Sequence, residues 1–448
     1  MLTNRNRRNV IFLIADDHRH DAFGARGNRQ ISTPNLDRLI QSGTSYTNAY
    51  ISGSMLGAVC APSRACLHTG LNPSQALVSS IPDDYPAGTY IREELPVLGE
   101  TLQQHGYYTY ATGKWHNGRA SLQRSFAGGK HLFLGGMHNH DDIPLFPFDP
   151  TGQYSRDSCY TGDGYSTELF ADAAVEFIEE YNREQPFFLY VAFTSPHDPR
   201  IAPEPFASFV DRSQIELPPN YMPEHPFDNG ELRIRDELLA AFPRTEEEVR
   251  THIGDYYAMI AHLDQQVGRI LGALQQSGLS DNTVVVYTSD HGLAVGQHGL
   301  MGKQNLYEHS VKIPLIMAGP DIEAKSDDRF ISQMDIYPLL CKQLDVNAPA
   351  TLEGRLLHGR ESVFAFYKDF QHMVRKGRYK LIRYGKYADS AEPSGRAQLF
   401  DVIADPWELH DLSADLRHTE TLADLDELLL AWRQSIDAIR IQNEEEAR

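Results

Sequence analysis

The chain is poor in cysteine, in long apolar runs and in positive charge. Four of its 448 residues are cysteine: Cys60, Cys66, Cys159 and Cys341. So few thiols in so long a chain exclude a disulfide-built scaffold. There is no C-x-x-C pair and no Cys/His zinc-finger spacing, which excludes the common structural zinc modules. No apolar stretch approaches the roughly 20 residues that a membrane-spanning helix needs. The basic start "MLTNRNRRNVIFLIADD" has an apolar run, Val10 to Ala15, that is too short for an export signal and meets carboxylates at once. The sequence as it stands therefore predicts a cytoplasmic chain, or a periplasmic or secreted one if a leader has been removed. Lys and Arg number 41 against 61 Asp and Glu, a formal charge of −20. That balance argues against nucleic acid or an anionic membrane as the main partner. An anionic small substrate stays open, because a site can be locally positive inside an acidic protein.

What is present is a repeated alternation of strand and helix. "NVIFLIADD", "YYTYATGKWH", "QPFFLYVAFTSPHDP", "NTVVVYTSDHG" and "KIPLIMAGP" are short apolar runs rich in β-branched and aromatic residues, the mark of buried strands. Between them "TPNLDRLIQSG", "ELPVLGETLQQHG", "YSTELFADAAVEFIEEYN" and a long stretch from about Thr245 to Gly278 read as helices. The order predicts an α/β fold: a large, mainly parallel central sheet flanked by helices. After about Gly354 the pattern changes to short strands, "SVFAFY", "QHMVRKG", "YKLIRYG" and "AQLFDV", closed by a helix from about Glu420 to Asn443. Two units are expected: residues 1–353 as the catalytic domain, and 354–448 as a small antiparallel sheet with one packing helix.

In parallel sheets ligands gather outside the carboxyl ends of the strands. Those ends are where this sequence places its unusual residues. Asp16 and Asp17 end the first strand, Lys114 and His116 follow "YATG", His197 and Asp198 follow "FTSP", and Asp290 and His291 follow "VVYTS". Singly, each reads equally well as turn or cap chemistry. Together they describe a divalent cation in a mostly oxygen shell, suited to Ca²⁺ or Mg²⁺, with one imidazole leaving Mn²⁺ or Zn²⁺ open. Arg64, Lys114 and Lys303 could neutralise a tetrahedral oxyanion, and His116 and His197 could move protons.

The segment "CAPSRACLHTG", residues 60–70, fits the Cys-x-Pro-Ser-Arg-x-x-x-x-Thr-Gly signature of the type I, formylglycine-dependent sulfatases of the alkaline phosphatase superfamily. "IADDHR", "TPNLDRL", "TGKWHNG", "SPHDP", "SDHG", "GKQNLYEHSVKIPLI" and "LFDVIADPWELHDL" resemble that family in order and spacing. The motif style is similar to iduronate-sulfatase-like carbohydrate sulfatases, since His291 stands where Asn is common. The resemblance implies hydrolysis of a sulfate ester on a sulfated carbohydrate. The alternative on the same scaffold is a phosphonate or phosphate ester hydrolase. It implies that Cys60 is converted to formylglycine (3-oxoalanine) by a formylglycine-generating enzyme, with Pro62 and Arg64 in the recognition sequence. It implies metal ligands at Asp16, Asp17, residue 60, Asp290 and His291, with Ca²⁺ preferred and Mg²⁺ or Mn²⁺ also fitting. Arg64, Lys114, His116, His197 and Lys303 match the remaining site positions. In that scheme His197 is the acid for the leaving alcohol, His116 the base that resets the nucleophile, and Lys114 and Lys303 the clamp on sulfate oxygens.

Other readings are less directed. Six residues of helix put Cys60 and Cys66 on different faces, so Cys66 is expected to pack as a small hydrophobe rather than form a disulfide. The loop "LGGMHNHDD", residues 134–142, brings His138 and His140 either to the mouth of the site or to a solvated turn. Arg200 could meet a carboxylate or a second sulfate. The Pro-rich stretch 202–243 reads as a lid or a packed loop. A homo-oligomer is compatible with all of this.

Overall fold

Val10, Phe12 and Ile14 enter one hydrophobic core, and Ile11, Leu13 and Ala15 enter another. That is why the first strand is apolar at successive positions: it is covered on both faces. The computed structural model describes residues 7–78, 90–354, 360–385 and 395–446. In it eight strands form one sheet. In spatial order they are Lys325–Ser332, Thr44–Tyr50, Lys312–Ala318, Thr283–Ser289, Asn9–Ala15, Phe187–Ala192, Tyr108–Lys114 and Gly128–Phe133. Every neighbouring pair is parallel except the two that Lys312–Ala318 makes. The mainly parallel α/β sheet is thus as expected, with one reversed strand inside it.

One face of the sheet is covered by the helices Ser166–Glu180 and Glu246–Gln276, which bury Phe170, Ala174, Leu263 and Val267. The other face takes Leu67 from the helix Cys60–Thr69, Leu98 and Leu102 from Leu98–Gln104, and Leu340 from Ile336–Gln343. Thr245 caps the long helix by accepting from Glu248 N, and Glu246, Glu247 and Glu248 place negative charge in its first turn. Both devices favour a helix start.

The late strands Ser362–Tyr367, Gln371–Lys376, Tyr379–Tyr384 and Ala397–Asp401 form an antiparallel sheet, and the helix Thr419–Glu446 contributes Leu425 and Leu429 to its core. A fifth strand comes from far upstream. Gly53–Ser54 pairs in parallel with Phe366 and Tyr367, six residues before Cys60. The buried Lys380 ammonium lies 3.1 Å from Glu308 and 2.8 Å from Glu408, tying the small sheet to the segment after the active-site loop. Residues 202–243 contain only short turns of helix, such as Phe206–Phe209 and Glu237–Leu239. Among the described residues no helix is long and apolar enough to cross a membrane.

Gly113 shows how tightly the strand ends are packed. It has φ +93°, and a Cβ there would lie 1.9 Å from Ala192 O on the next strand. Gly113→Ala is expected to cost about 1–3 kcal/mol from backbone strain alone, read as a lowered midpoint in thermal unfolding. An unchanged midpoint would show that the strand end can shift to admit a methyl group.

Candidate active site and metal pocket

Four neighbouring strands of the sheet, Thr283–Ser289, Asn9–Ala15, Phe187–Ala192 and Tyr108–Lys114, end on the same side. Each delivers its polar residues there. The helix Cys60–Thr69 begins against them, with Cys60 as its first residue and Pro62 in its first turn, where a missing N–H costs nothing. Its last carbonyls are closed by Gly70, which has φ +66° and donates to Cys66 O at 2.8 Å.

The first strand's acids are held apart by different partners. Asp16 Oδ2 accepts from Lys114 Nζ at 2.5 Å and lies 3.9 Å from an Arg64 Nη. Asp16 Oδ1 is buried with no hydrogen-bond partner. Asp17 sits in the left-handed region at φ +72°, rare for a residue with a side chain. Tyr256 secures that turn by donating to Asp17 O at 2.6 Å. Asp17 Oδ1 accepts from Lys303 Nζ at 2.9 Å and lies 3.1 Å from His291 Nδ1.

Asp290 accepts three hydrogen bonds. Its Oδ1 accepts from the backbone N–H of Asp17 (3.2 Å) and of His291 (3.0 Å), and its Oδ2 from Arg64 Nε (3.0 Å). Cys60 Sγ lies 3.2 Å from His291 Nε2 and 3.3 Å from Lys303 Nζ. Ligand atoms of Asp16, Asp17, Cys60 and His291 all fall within 4.8 Å of one another.

His197 completes the centre, with Nε2 4.0 Å from Asp17 Oδ2 and Nδ1 donating to Asp198 O at 2.8 Å. His116 has φ +60°, a buried Nδ1 without a partner, and a ring so close to Gly136 that a Cβ there would lie 2.7 Å from Nε2.

The charges are strongly coupled. Burial alone would raise the Asp16 carboxyl, but Lys114, His197, Arg64 and Lys303 outweigh it and hold it well below the usual range. Burial opposes charge on Lys303, yet Asp17, Cys60 and Asp236 keep its ammonium protonated well above the ordinary lysine range. The two histidines diverge. Burial and Lys303 disfavour the charged form of His197, but Asp17, Asp16 and Cys60 raise it to about 9. Burial, Lys114 and Arg64 push His116 well below 6.5. One imidazole therefore carries a proton to give and the other is free to take one.

Not every sequence-based candidate joins this centre. His140 is buried behind His197: its Nε2 donates to His197 O at 3.0 Å and its Nδ1 accepts from Ser166 Oγ at 2.9 Å. Both ring nitrogens are thus engaged, one of them with the backbone of His197. His138 is half-buried and 3.3 Å from Asp142. Arg200 is buried, donates to His252 Nδ1 at 3.2 Å, and makes no hydrogen bond to the residues around Cys60 among those described. All four cysteines are free thiols. Cys66 is fully buried, and burial pushes its thiol well above the usual range, consistent with packing.

Conversely, no motif singles out Arg235. Its guanidinium forks onto Asp198 at 2.7 and 2.9 Å and reaches Asp236 Oδ1 at 2.8 Å, while Gln304 Nε2 donates to Asp236 Oδ2 at 2.8 Å. Arg235 also contacts Met137 Sδ. The Pro-rich segment and the glycine-hinged loop therefore meet beside His197. No local motif could have announced a pairing between residues 37 apart in an irregular stretch.

A model of the family described as Sulfatase matches residues 8–346, and a second, N-sulphoglucosamine sulphohydrolase C-terminal, matches residues 296–435. The chain belongs to the sulfatase family. An N-acetylglucosamine-6-O-sulfatase of Bacteroides thetaiotaomicron is 27% identical over an alignment that covers 94% of this chain and 86% of that protein. A solved structure of a protein in complex with its substrate, D-glucosamine-2-N,6-O-disulfate, superposes with a TM-score of 0.75 at 21% identity, covering 96% of this chain and 98% of that one. A phosphonate monoester hydrolase of Agrobacterium radiobacter superposes with a TM-score of 0.73 at 22% identity, covering 96% of both chains.

Membership of the sulfatase family implies a divalent metal and a formylglycine. The pocket fits a cation: the orphaned Asp16 Oδ1 points to a missing partner, and four potential ligand atoms already converge. The fit to formylglycine is local. The residue at the helix start is a buried cysteine flanked by Lys303 and His291, with Arg64 one turn on.

Proposed function

We propose that this sulfatase removes sulfate from a sulfated carbohydrate, with residue 60 acting as formylglycine and Ca²⁺ in the adjacent pocket. The observation that carries this reading is the convergence of Asp16, Asp17, Cys60 and His291 within 4.8 Å, ringed by Lys114, Lys303, Arg64 and His197. Support for a sugar substrate comes from the relatives whose names state one: the N-acetylglucosamine-6-O-sulfatase and an ulvan-active sulfatase of Formosa agariphila.

Asp16, Asp17, Asp290, His291 and residue 60 would hold the cation, with Asp290 also orienting Arg64 and the backbone around them; the bound ion would polarise a sulfate oxygen. Converted by a formylglycine-generating enzyme, residue 60 would supply a hydrated aldehyde as the nucleophile. The remaining work falls to side chains already in place. Lys303, between Asp17 and Cys60, stabilises negative charge on the sulfate oxygens and on the nucleophile. Lys114 is bound to Asp16 and adds positive potential from behind. Arg64 fixes Asp290 and the site floor. His197 gives its Nε2 proton to the leaving alcohol, and His140 and Asp198 keep the ring aimed. His116, neutral, accepts the proton released when residue 60 is reset. Arg235 and Met137, at the rim, are placed to meet the sugar.

Sulfate release from a panel of defined sulfated saccharides tests the substrate class, beside a nitrophenyl sulfate and a nitrophenyl phosphonate. Desulfation of at least one saccharide, lost on chelation and restored by Ca²⁺, is expected. A phosphonate turned over faster than every sulfate would instead favour the second reading, which rests on the equally full fold match to the phosphonate monoester hydrolase.

A further inference from the structure

Cys60 Sγ faces the His291 imidazole, whose far nitrogen is held by two acceptors. His291 Nδ1 lies 2.9 Å from Gly292 O and 3.1 Å from Asp17 Oδ1, two acceptors that fix its proton on Nδ1. Nε2 is the nitrogen turned toward Cys60 Sγ, at 3.2 Å, and is the one a cation could take. A backbone carbonyl on the far nitrogen is the usual outer support of a metal-bound imidazole. Asp16 Oδ1 and the Asp17 carboxylate complete a set of one sulfur, one nitrogen and two oxygens, and Asp16 Oδ1 is unpartnered and buried. Such a set is unlike the all-oxygen shell that hard Ca²⁺ or Mg²⁺ prefers. Thiolate with imidazole in a four-ligand pocket suits Zn²⁺.

We propose that the chain with Cys60 unconverted is a Zn²⁺-binding protein, and that maturation of residue 60 switches the same pocket from a soft cation to a hard one. The inference rests on the metal pocket assigned above and concerns the thiol form, which the function does not use. The metal takes the place of the proton between sulfur and nitrogen: the Cys60 S–H bond breaks, an S–Zn bond forms, and the proton leaves to solvent without any oxidant or reductant. Lys303 Nζ, 3.3 Å from Sγ, then donates to the thiolate and lowers the cost of burying it. Loss of the sulfur on conversion leaves one nitrogen among oxygens, and the preference for a soft ion falls away.

Cobalt(II) reports this directly, since thiolate ligation gives a near-ultraviolet charge-transfer band. Full-length protein from a host without the converting enzyme is titrated with Co²⁺ and then challenged with Zn²⁺ or excess Ca²⁺. The expected result is a band that saturates, is bleached by Zn²⁺ and resists Ca²⁺. Cys60→Ser, which keeps Cys66, Cys159 and Cys341, should abolish the band while circular dichroism stays unchanged. His291→Asn should weaken cobalt binding at least roughly tenfold, because losing even an outer partner of a ligand typically costs that much. No band, an undiminished band in Cys60→Ser, or displacement by Ca²⁺ as ready as by Zn²⁺ would overturn the proposal. Converted protein that releases sulfate while the thiol form ignores cobalt would sink this inference alone and leave the proposed function standing.

Discussion

Cys60→Ala is expected to abolish sulfate release. The expected loss in turnover is roughly 10⁶-fold, the size of the effect when a hydrolase loses its nucleophile alone. Alanine removes the precursor of the aldehyde and also one of the four groups that converge on the metal pocket. It leaves the helix intact, since alanine is a good helix former and Cys60 stands at the first position. The measurement is sulfate release by matured protein from a saccharide that the wild type desulfates, with thermal unfolding as the control for folding. Mass analysis of the peptide spanning residues 57–70 of the wild type checks that residue 60 has been converted. Unchanged turnover in Cys60→Ala would place the nucleophile elsewhere and remove the basis of the proposed mechanism.

His197→Ala is expected to lose about 10²–10⁴-fold on a sugar sulfate, the range for removing a positioned general acid. Nitrophenolate leaves without a proton, whereas a sugar alcohol needs one. The loss on nitrophenyl sulfate should therefore be much smaller, and that contrast separates proton donation from a general weakening of the site. The geometry supports this assignment: His197 Nε2 is 4.0 Å from Asp17 Oδ2, and Nδ1 is tied to Asp198 O at 2.8 Å. The ring thus has one nitrogen fixed behind it and one directed at the centre. Equal losses on the two substrates would show that His197 acts mainly through the charge it places beside Asp17.

The central strands and the helices over them were legible because their side chains face two cores or one. Asn9–Ala15 is read from six successive apolar residues, and Glu246–Gln276 from a helical periodicity over eight turns with a capped start. Three strands gave no such signal. Thr44–Tyr50 is polar in composition, Gly128–Phe133 starts with two glycines, and Lys325–Ser332 is an edge strand with charged, exposed positions. Their place in the sheet is set by hydrogen bonding to neighbours rather than by their own hydrophobicity.

The site divides in the same way. Asp16, Asp17, Lys114, His197, Asp290 and His291 could be found from sequence because a parallel sheet exposes the ends of its strands, and those ends can be located from the apolar runs before them. Cys60, Arg64 and Lys303 were found through the motifs they belong to. His140, which its loop places either at the mouth of the site or in a solvated turn, is instead buried and hydrogen-bonded to His197 O and Ser166. Arg235 was invisible. Its role comes from an ion pair with Asp198 and a contact with Met137, formed only when two irregular segments fold against each other.

The sequence by itself determined the family, the α/β class and the residue types that reach the centre, since each is encoded in short runs whose meaning is local. Only the tertiary structure decided that Asp290 accepts from Arg64 and from the Asp17 N–H, and that Cys60 Sγ faces His291 Nε2. Those outcomes depend on distances of about one hydrogen bond between Arg64 and Asp290, Asp17 and Asp290, and Cys60 and His291, each pair more than two hundred positions apart, and such distances are fixed by packing, not by local sequence.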